Sequence, residues 1–399
     1  MCKYKINNLF PFKRVKLVQI RTDNNGKLTL VRLEPDNRYK PLCSCCKKPF
    51  SSIHSQHVRA IRDLPMSGSM VVIYLTYRKG FCKQCGIRVE HFDFVEPYER
   101  ITKRFAQYVY HLCKIMPLKA TAELVQLSWD QVKRIDKRML TKEYCPLIVK
   151  DLKILSVDEI NIKKHHHYLT IIVNYLNGQV IGVVKNRDYE SVANYLKKLP
   201  AKIRDNIEAV AMDMWDPYIK AFKEFCPNAL IIFDPFHVIN AFNKIIDKIR
   251  AEQYRQASAD VKNIMKKSRY ILLKNPENLT ESERPRLKQI LKANEMLSSV
   301  YILKEYLKRI WQYKYMKSAA KFIEYWCQLA LETGSKHLAK FVKTIRKYSY
   351  GLINHCKYQI HTSKLEGINN KIKVMKRKAY GYHDIEYFKL KIIQATSIN

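Results

Sequence analysis

The pattern of apolar positions divides this chain into four stretches. Residues 1–97 carry short alternating segments, of which 70–77 (MVVIYLTY) reads most clearly as a strand. The period then becomes helical. Over 101–115, Phe105, Val109 and Leu112 share one face, and 118–127 makes a second, short helix. Ser128-Trp129-Asp130-Gln131 has the form of a capping box, with Ser at the N-cap and Gln at N3. The helix it opens places Val132, Ile135 and Met139 on one side. Strand patterns return at 153–162 (KILSVDEINI), 167–176 (HYLTIIVNYL) and 179–185 (QVIGVVK), the last two joined through the hairpin signal Asn177-Gly178. A helix over 190–199, a strand over 207–214, a helix over 216–225 and a strand over 228–233 follow. From 241 to 399 the pattern is almost wholly helical, broken by one loop signal at 274–285. Trp311 and Trp326 in this stretch read as core.

Three strands, then helix, strand, helix, strand, helix is a hairpin-connected trio followed by crossover units, the ribonuclease-H-like arrangement. In such a sheet an Asp on the first strand lies beside an Asp ending the fourth, which singles out Asp158 and Asp213. Carboxylates are hard ligands suited to Mg²⁺ or Mn²⁺. A charged Asp inside an apolar strand is costly unless paired or metal-bound. Glu159 falls on the opposite sheet face. Asp234 fits a ligand, a supporting residue or an N-cap before Pro235, whereas Asp216 is the better cap for the helix after Asp213. His165-His166-His167 reads as an exposed hairpin tip. A helix over 363–377 buries Leu365, Ile368, Ile372 and Met375. Its second face, Glu366, Asn369 or Asn370, Lys373 and Arg377, starts acidic and becomes basic. Glu366 either completes the metal site or forms a capping box with Ser363. Lys373, Lys376 and Arg377 would lie along DNA, and Gly381 ends the helix.

Charge and cysteine usage sharpen this picture. The 399 residues hold 73 Lys and Arg against 36 Asp and Glu, a formal net charge of +37. That surplus repels itself unless a polyanion is bound, and nucleic acid fits because phosphate contacts release counterions. Hydrophobic residues reach 47%, enough for real cores, but no run is long and apolar enough to span a membrane. The first twelve residues lack a signal-peptide pattern. Eleven scattered cysteines suit a reducing cytoplasm. Cys43, Cys46, Cys82 and Cys85 form two knuckles that can hold structural Zn²⁺ tetrahedrally. Cys45 is a spare, His54, His57 and His91 are weaker candidates, and Arg78 and Lys79 stand near the second knuckle, where they favour thiolate and could meet phosphate. Two helices, a short turn and a second helix bearing Lys133, Arg134, Lys137 and Arg138 fit a helix-turn-helix that reads the major groove.

Taken together, SVDE, AMDMWDPY, FDPFHV and LEGINNKIKVMKRKAYGYHD, with the knuckles, the RDL segment at 62–64 and the helix-turn-helix, resemble the ISL-three family of bacterial insertion-sequence transposases along nearly the whole chain. The resemblance implies an α/β chain with a zinc-binding module (1–97), a helix-turn-helix (98–150), a ribonuclease-H-like core (151–240 and 351–399) and a helical insertion (241–350). It implies an Asp-Asp-Glu triad, carried onto Asp158, Asp213 and Glu366 and holding Mg²⁺ or Mn²⁺. It also implies double-stranded DNA as partner (terminal inverted repeats and target), metal-dependent strand cleavage and transfer, and a homodimer or higher oligomer on DNA. A catalytically inactive regulator, a ribonuclease-H-type nuclease and a non-specific RNA scaffold are the rival readings.

Overall fold

A computed structural model describes residues 9–23, 25–145, 151–163, 167–360 and 363–397. His165, His166, the side chains of His167 and Ser363, and most of the segment read for a signal peptide lie outside the described residues. The chain divides into two compact units, Met1–Cys145 and Pro146–Asn399.

The first unit opens with strands β1 (Val15–Asp23), β2 (Leu28–Pro35), β3 (Ser52–Met66), β4 (Ser69–Cys82) and β5 (Gly86–Val89). Their order is β1-β2-β4-β3, with β5 also paired to β4. Alternation sends Val31, Leu33, Ile61, Val71, Ile73 and Leu75 to one face, where Phe92, Phe94 and Val95 cover them. A tight turn through Ser67 (φ +49°) and Gly68 (φ +78°) joins β3 to β4. Helices α1 (Lys103–Ile115), α2 (Leu118–Val125) and α3 (Trp129–Tyr144) follow. Phe105, Val109, Leu112, Val125, Val132 and Ile135 form their shared core. Thr102 caps α1, and Ser128 and Gln131 form the reciprocal capping box on α3. Sheet and helices make one unit because the RDL segment binds both. Arg62 donates to the carbonyls of Val125 and Gln126, each at 3.2 Å, satisfying the end of α2. Buried Asp63 accepts from the Thr102 hydroxyl at 2.6 Å and pairs with Arg104.

In the second unit the strands are β6 (Ile154–Lys163), β7 (His167–Asn174), β8 (Gln179–Lys185), β9 (Ala209–Met212) and β10 (Leu230–Phe233), in the order β10-β9-β6-β7-β8. β6, β7 and β8 pair antiparallel, whereas β9 and β10 run parallel to β6. β7 stops two residues short of its expected end. The Asn174 side chain accepts from the Leu176 amide at 3.1 Å, and the turn closes with Gly178 donating to the Asn174 carbonyl at 2.9 Å. Helices α4 (Tyr189–Lys198), α5 (Ala201–Asp205), α6 (Asp216–Phe225) and α7 (Pro235–Gln256) make the crossovers and the exit from the sheet. Then come α8 (Ala259–Met265), α9 (Arg269–Leu273), α10 (Glu283–Ala293), α11 (Glu295–Lys308), α12 (Met316–Glu332), α13 (Lys336–Asn354), α14 (Ser363–Lys378) and α15 (Ile385–Thr396). Both α7 and α13 run unbroken across the expected edges of the helical insertion, at 240 and 350. Trp326 is fully buried and donates to the Leu303 carbonyl, while Trp311 packs half-buried at the same core.

Two cores sandwich this sheet. Leu155, Val157 and Ile172 belong to a core shared with α4, α6, α7 and the helices from α8 to α13. Ile160, Ile162, Leu169, Ile171 and Val173 face α14 and α15 through Leu365, Ile372, Phe388 and Ile392. Truncating Ile372, which is fully buried, to Ala should lower unfolding stability by about 2–5 kcal/mol, read as a fall in the urea midpoint. The same truncation at exposed Val374, two residues away, should stay within about 0.5 kcal/mol.

Candidate functional site

Parallel pairing of β6 with β9 builds the acidic site. The register runs Ile154↔Ala209, Leu155↔Val210, Ser156↔Ala211. Two residues beyond the last of these pairs stand Asp158, within β6, and Asp213, just past the end of β9. The third group is His237, in the first turn of α7. Ligand atoms of Asp158, Asp213 and His237 lie within 4.8 Å of one another. His237 Nδ1 is 2.9 Å from Asp213, and Nε2 is 3.6 Å from Asp234. Burial works against the imidazolium, but the Asp213 hydrogen bond and the charges of Asp213, Asp234 and Asp158 outweigh it and lift His237 to about 9. For Asp158, burial is the main cause of a raised pKa, and the Asp213 charge adds to it.

The neighbouring acids divide by role. Asp234 is 6% exposed and caps α7, accepting from the Phe236 amide at 2.8 Å ahead of Pro235. Glu159 faces the other way and pairs with Arg187 at 3.0 Å, which lies over the Tyr168 and Trp215 rings. Asp216 does not cap α6 through its side chain. It reaches across to Lys347 at 2.7 Å and Tyr348 at 2.8 Å on α13.

Glu366 is exposed and stands outside the Asp158–Asp213–His237 cluster. Asn369, three residues further along the same helix face, donates to Asp158 instead. Its Oδ1 is buried without a hydrogen-bond partner. The sequence left Asn369 and Asn370 equivalent. His237 was overlooked as a partner, although its place three residues after Asp234 was the available signal.

In the first unit, Cys43, Cys46, Cys82 and Cys85 bring four thiols within 4.8 Å, with Cys46 and Cys82 sulfurs 3.4 Å apart. Each knuckle turns back through a left-handed residue, Lys47 (φ +59°) and Gly86 (φ +72°). The Gln84 amide is the main influence lowering the Cys82 thiol to about 7. Four thiols with no disulfide, at this spacing, fit a tetrahedral Zn²⁺. Cys45 is exposed and, like His54, His57 and His91, is not in the cluster. Arg78 is not available to thiolate or phosphate: it pairs at 2.6 Å with Glu90, a carboxylate buried to 2% exposure that would be costly alone.

Comparison with known proteins matches these parts to three family models. A zinc-finger model of transposases IS204/IS1001/IS1096/IS1165 covers residues 40–85, a helix-turn-helix model of transposase family ISL3 covers 90–139, and an ISL3 transposase model covers 155–392. The transposase for insertion sequence element IS1001 of Bordetella parapertussis is 34% identical over 93% of this chain and 92% of its own length. The chain belongs to the ISL3 family of transposases. A more distant relative, the transposase for insertion sequence element IS1557 of Mycobacterium tuberculosis, is 23% identical over 90% of the chain.

The cations of this transposase are unequal. Arg134 on α3 is exposed, while Arg138 turns back to Glu99 at 2.5 Å. Lys133 lies over the Trp129 ring, and Lys137 is half-buried. On α14, Lys373 and Arg377 are exposed, and Lys376 donates to the Ile162 carbonyl. No described helix is long and apolar enough to cross a membrane.

Purified protein should contain about one zinc per chain, as a single tetrathiolate site requires. Cys82→Ser should lose it and unfold at lower temperature. Retention of full zinc by Cys82→Ser, measured by atomic emission, would remove Cys82 from the ligand set.

Proposed function

We propose that this transposase binds the terminal inverted repeats of its element through the zinc module and α1–α3, then cleaves and transfers DNA strands at a ribonuclease-H-like site formed by Asp158, Asp213 and Glu366. The observation that carries this is the placement of Asp158 and Asp213 side by side on parallel neighbours of a β10-β9-β6-β7-β8 sheet. Their oxygens, joined by Glu366, suit Mg²⁺ or Mn²⁺, which when bound polarises phosphate oxygens and activates the attacking oxygen. The protein's own contribution is positioning. The Glu159 amide at 2.7 Å and Asn369 hold Asp158, and His237 holds Asp213. Glu366 shares the Asn369 helix face one turn earlier and is exposed, so it is open to approaching DNA. Lys373, Lys376 and Arg377 continue that face and hold the phosphates on either side of the cut. Cleavage leaves a 3′-hydroxyl, which attacks the target strand with no covalent protein–DNA intermediate. Both ends of the element must meet, so two or more copies assemble on DNA. Free thiols throughout the described cysteines accord with a reducing cytoplasm.

A second reading makes His237 the third ligand in place of Glu366, favoured by its contact with Asp213. Alanine variants separate the two. Asp158→Ala, Asp213→Ala and Glu366→Ala should each lower cleavage of an end-bearing DNA fragment at least about a hundredfold while end binding persists. Full cleavage by Glu366→Ala together with loss in His237→Ala would transfer the role to His237.

End recognition rests on α3, with base contacts giving specificity and phosphate contacts register. Arg134→Ala should weaken binding to the cognate end by about 1–3 kcal/mol in a mobility-shift titration. An unchanged affinity would take Arg134 out of the interface.

A further inference from the structure

We propose that a groove between β6 and the end of α14 holds an unpaired nucleotide of the DNA strand being cut. This deepens the function proposed above and rests on it, because DNA must already reach the carboxylate pair. The groove encloses about 310 Å³. Ile160 and Ile372, buried to 3% and 0% exposure in the core beneath α14, close its base, and Asn161 lies beside them. Its rim is cationic, made by Lys373, Lys376 and Arg377. Tyr380 stands at its mouth. Ile160 lies two residues beyond Asp158 on the same face of β6, so the groove opens beside the acidic site.

Each feature asks for a different part of one ligand. Lys373 and Arg377 are exposed and suit phosphates flanking the nucleotide. The groove is larger than phosphate contacts at its rim require, and it has room for the flat face of a base that has left the stack. Tyr380 is 98% exposed, so packing does not explain a large ring at this point. Its backbone is left-handed at φ +53°, and the following Gly381 amide donates to the Lys376 carbonyl at 2.9 Å. The helix end therefore sets the backbone of Tyr380 at the rim, where its exposed ring is open to stacking by an unpaired base. Releasing a base from the duplex costs least at an end or a mismatch, which is where strand cleavage by this enzyme takes place under the reading above.

The test uses the full-length protein and DNA ends whose last base pairs are either matched or mismatched, followed by titration and by cleavage. The mismatched end should bind at least about tenfold more tightly, because only the matched end must first be unpaired, at a few kcal/mol. Tyr380→Ala should erase that preference without lowering the melting temperature, and Tyr380→Phe should restore it. Joint substitution Lys373→Ala and Arg377→Ala should weaken both ends alike and flatten the salt dependence. Equal affinity of the native protein for the two ends, or a preference that survives Tyr380→Ala, overturns the proposal. Failure to cut either end strikes at the cleavage reading alone, since the two affinities still judge the groove.

Discussion

Two carboxylates held at one level on neighbouring parallel strands repel each other, and the second unit is organised around that repulsion. Asp158 and Asp213 owe their proximity to the β6–β9 register. Burial and their mutual repulsion push Asp158 upward in pKa, so the arrangement persists only with compensation. His237 brings a cation from one side and Asn369 an amide from the other. Each compensating group belongs to a helix that must start or dock at a fixed place. The Asp234 cap and Pro235 fix the first turn of α7 and hence His237. Leu365 and Ile372, buried against Ile160 and Ile162, fix α14 and hence Asn369. The basic end of α14 inherits its position from the same packing.

The first unit depends on charge pairing of another kind. Glu90 and Asp63 are buried acids, neutralised by Arg78 and Arg104. Arg62 satisfies the carbonyls that end α2. The Asp63–Arg104 pair and the Arg62 hydrogen bonds join the sheet that carries the thiols to the helices that carry Arg134. They also show why a net charge of +37 is a poor guide to individual DNA contacts. Arg62, Arg78, Arg104 and Arg138 are committed to carbonyls or carboxylates within the protein, and the cations left at the surface are fewer and more localised than the composition suggests.

The sequence by itself determined what local periodicity and spacing encode. Strict alternation and apolar runs marked β6 to β10, helical spacing marked α1 and α14, and Ser128 with Gln131 marked the start of α3, because each signal lies within a few residues of the element it specifies. The knuckle spacing marked Cys43, Cys46, Cys82 and Cys85. Beyond that range the chain was ambiguous. β3 was hidden because its solvent face is mixed in character, and pairing along β4 is what orders it. Arg78 looked like a phosphate contact until Glu90, twelve residues away, was seen to claim it. Asp216 looked like a helix cap until α13 placed Lys347 and Tyr348 against it. Asn369 and Asn370 were indistinguishable, and only the angle at which α14 docks on β6 chose between them. The partnership of His237 with Asp213, and the distance of Glu366 from that pair, are likewise tertiary facts. They depend on where helices meet the sheet, and that is set by side-chain packing between segments far apart in sequence.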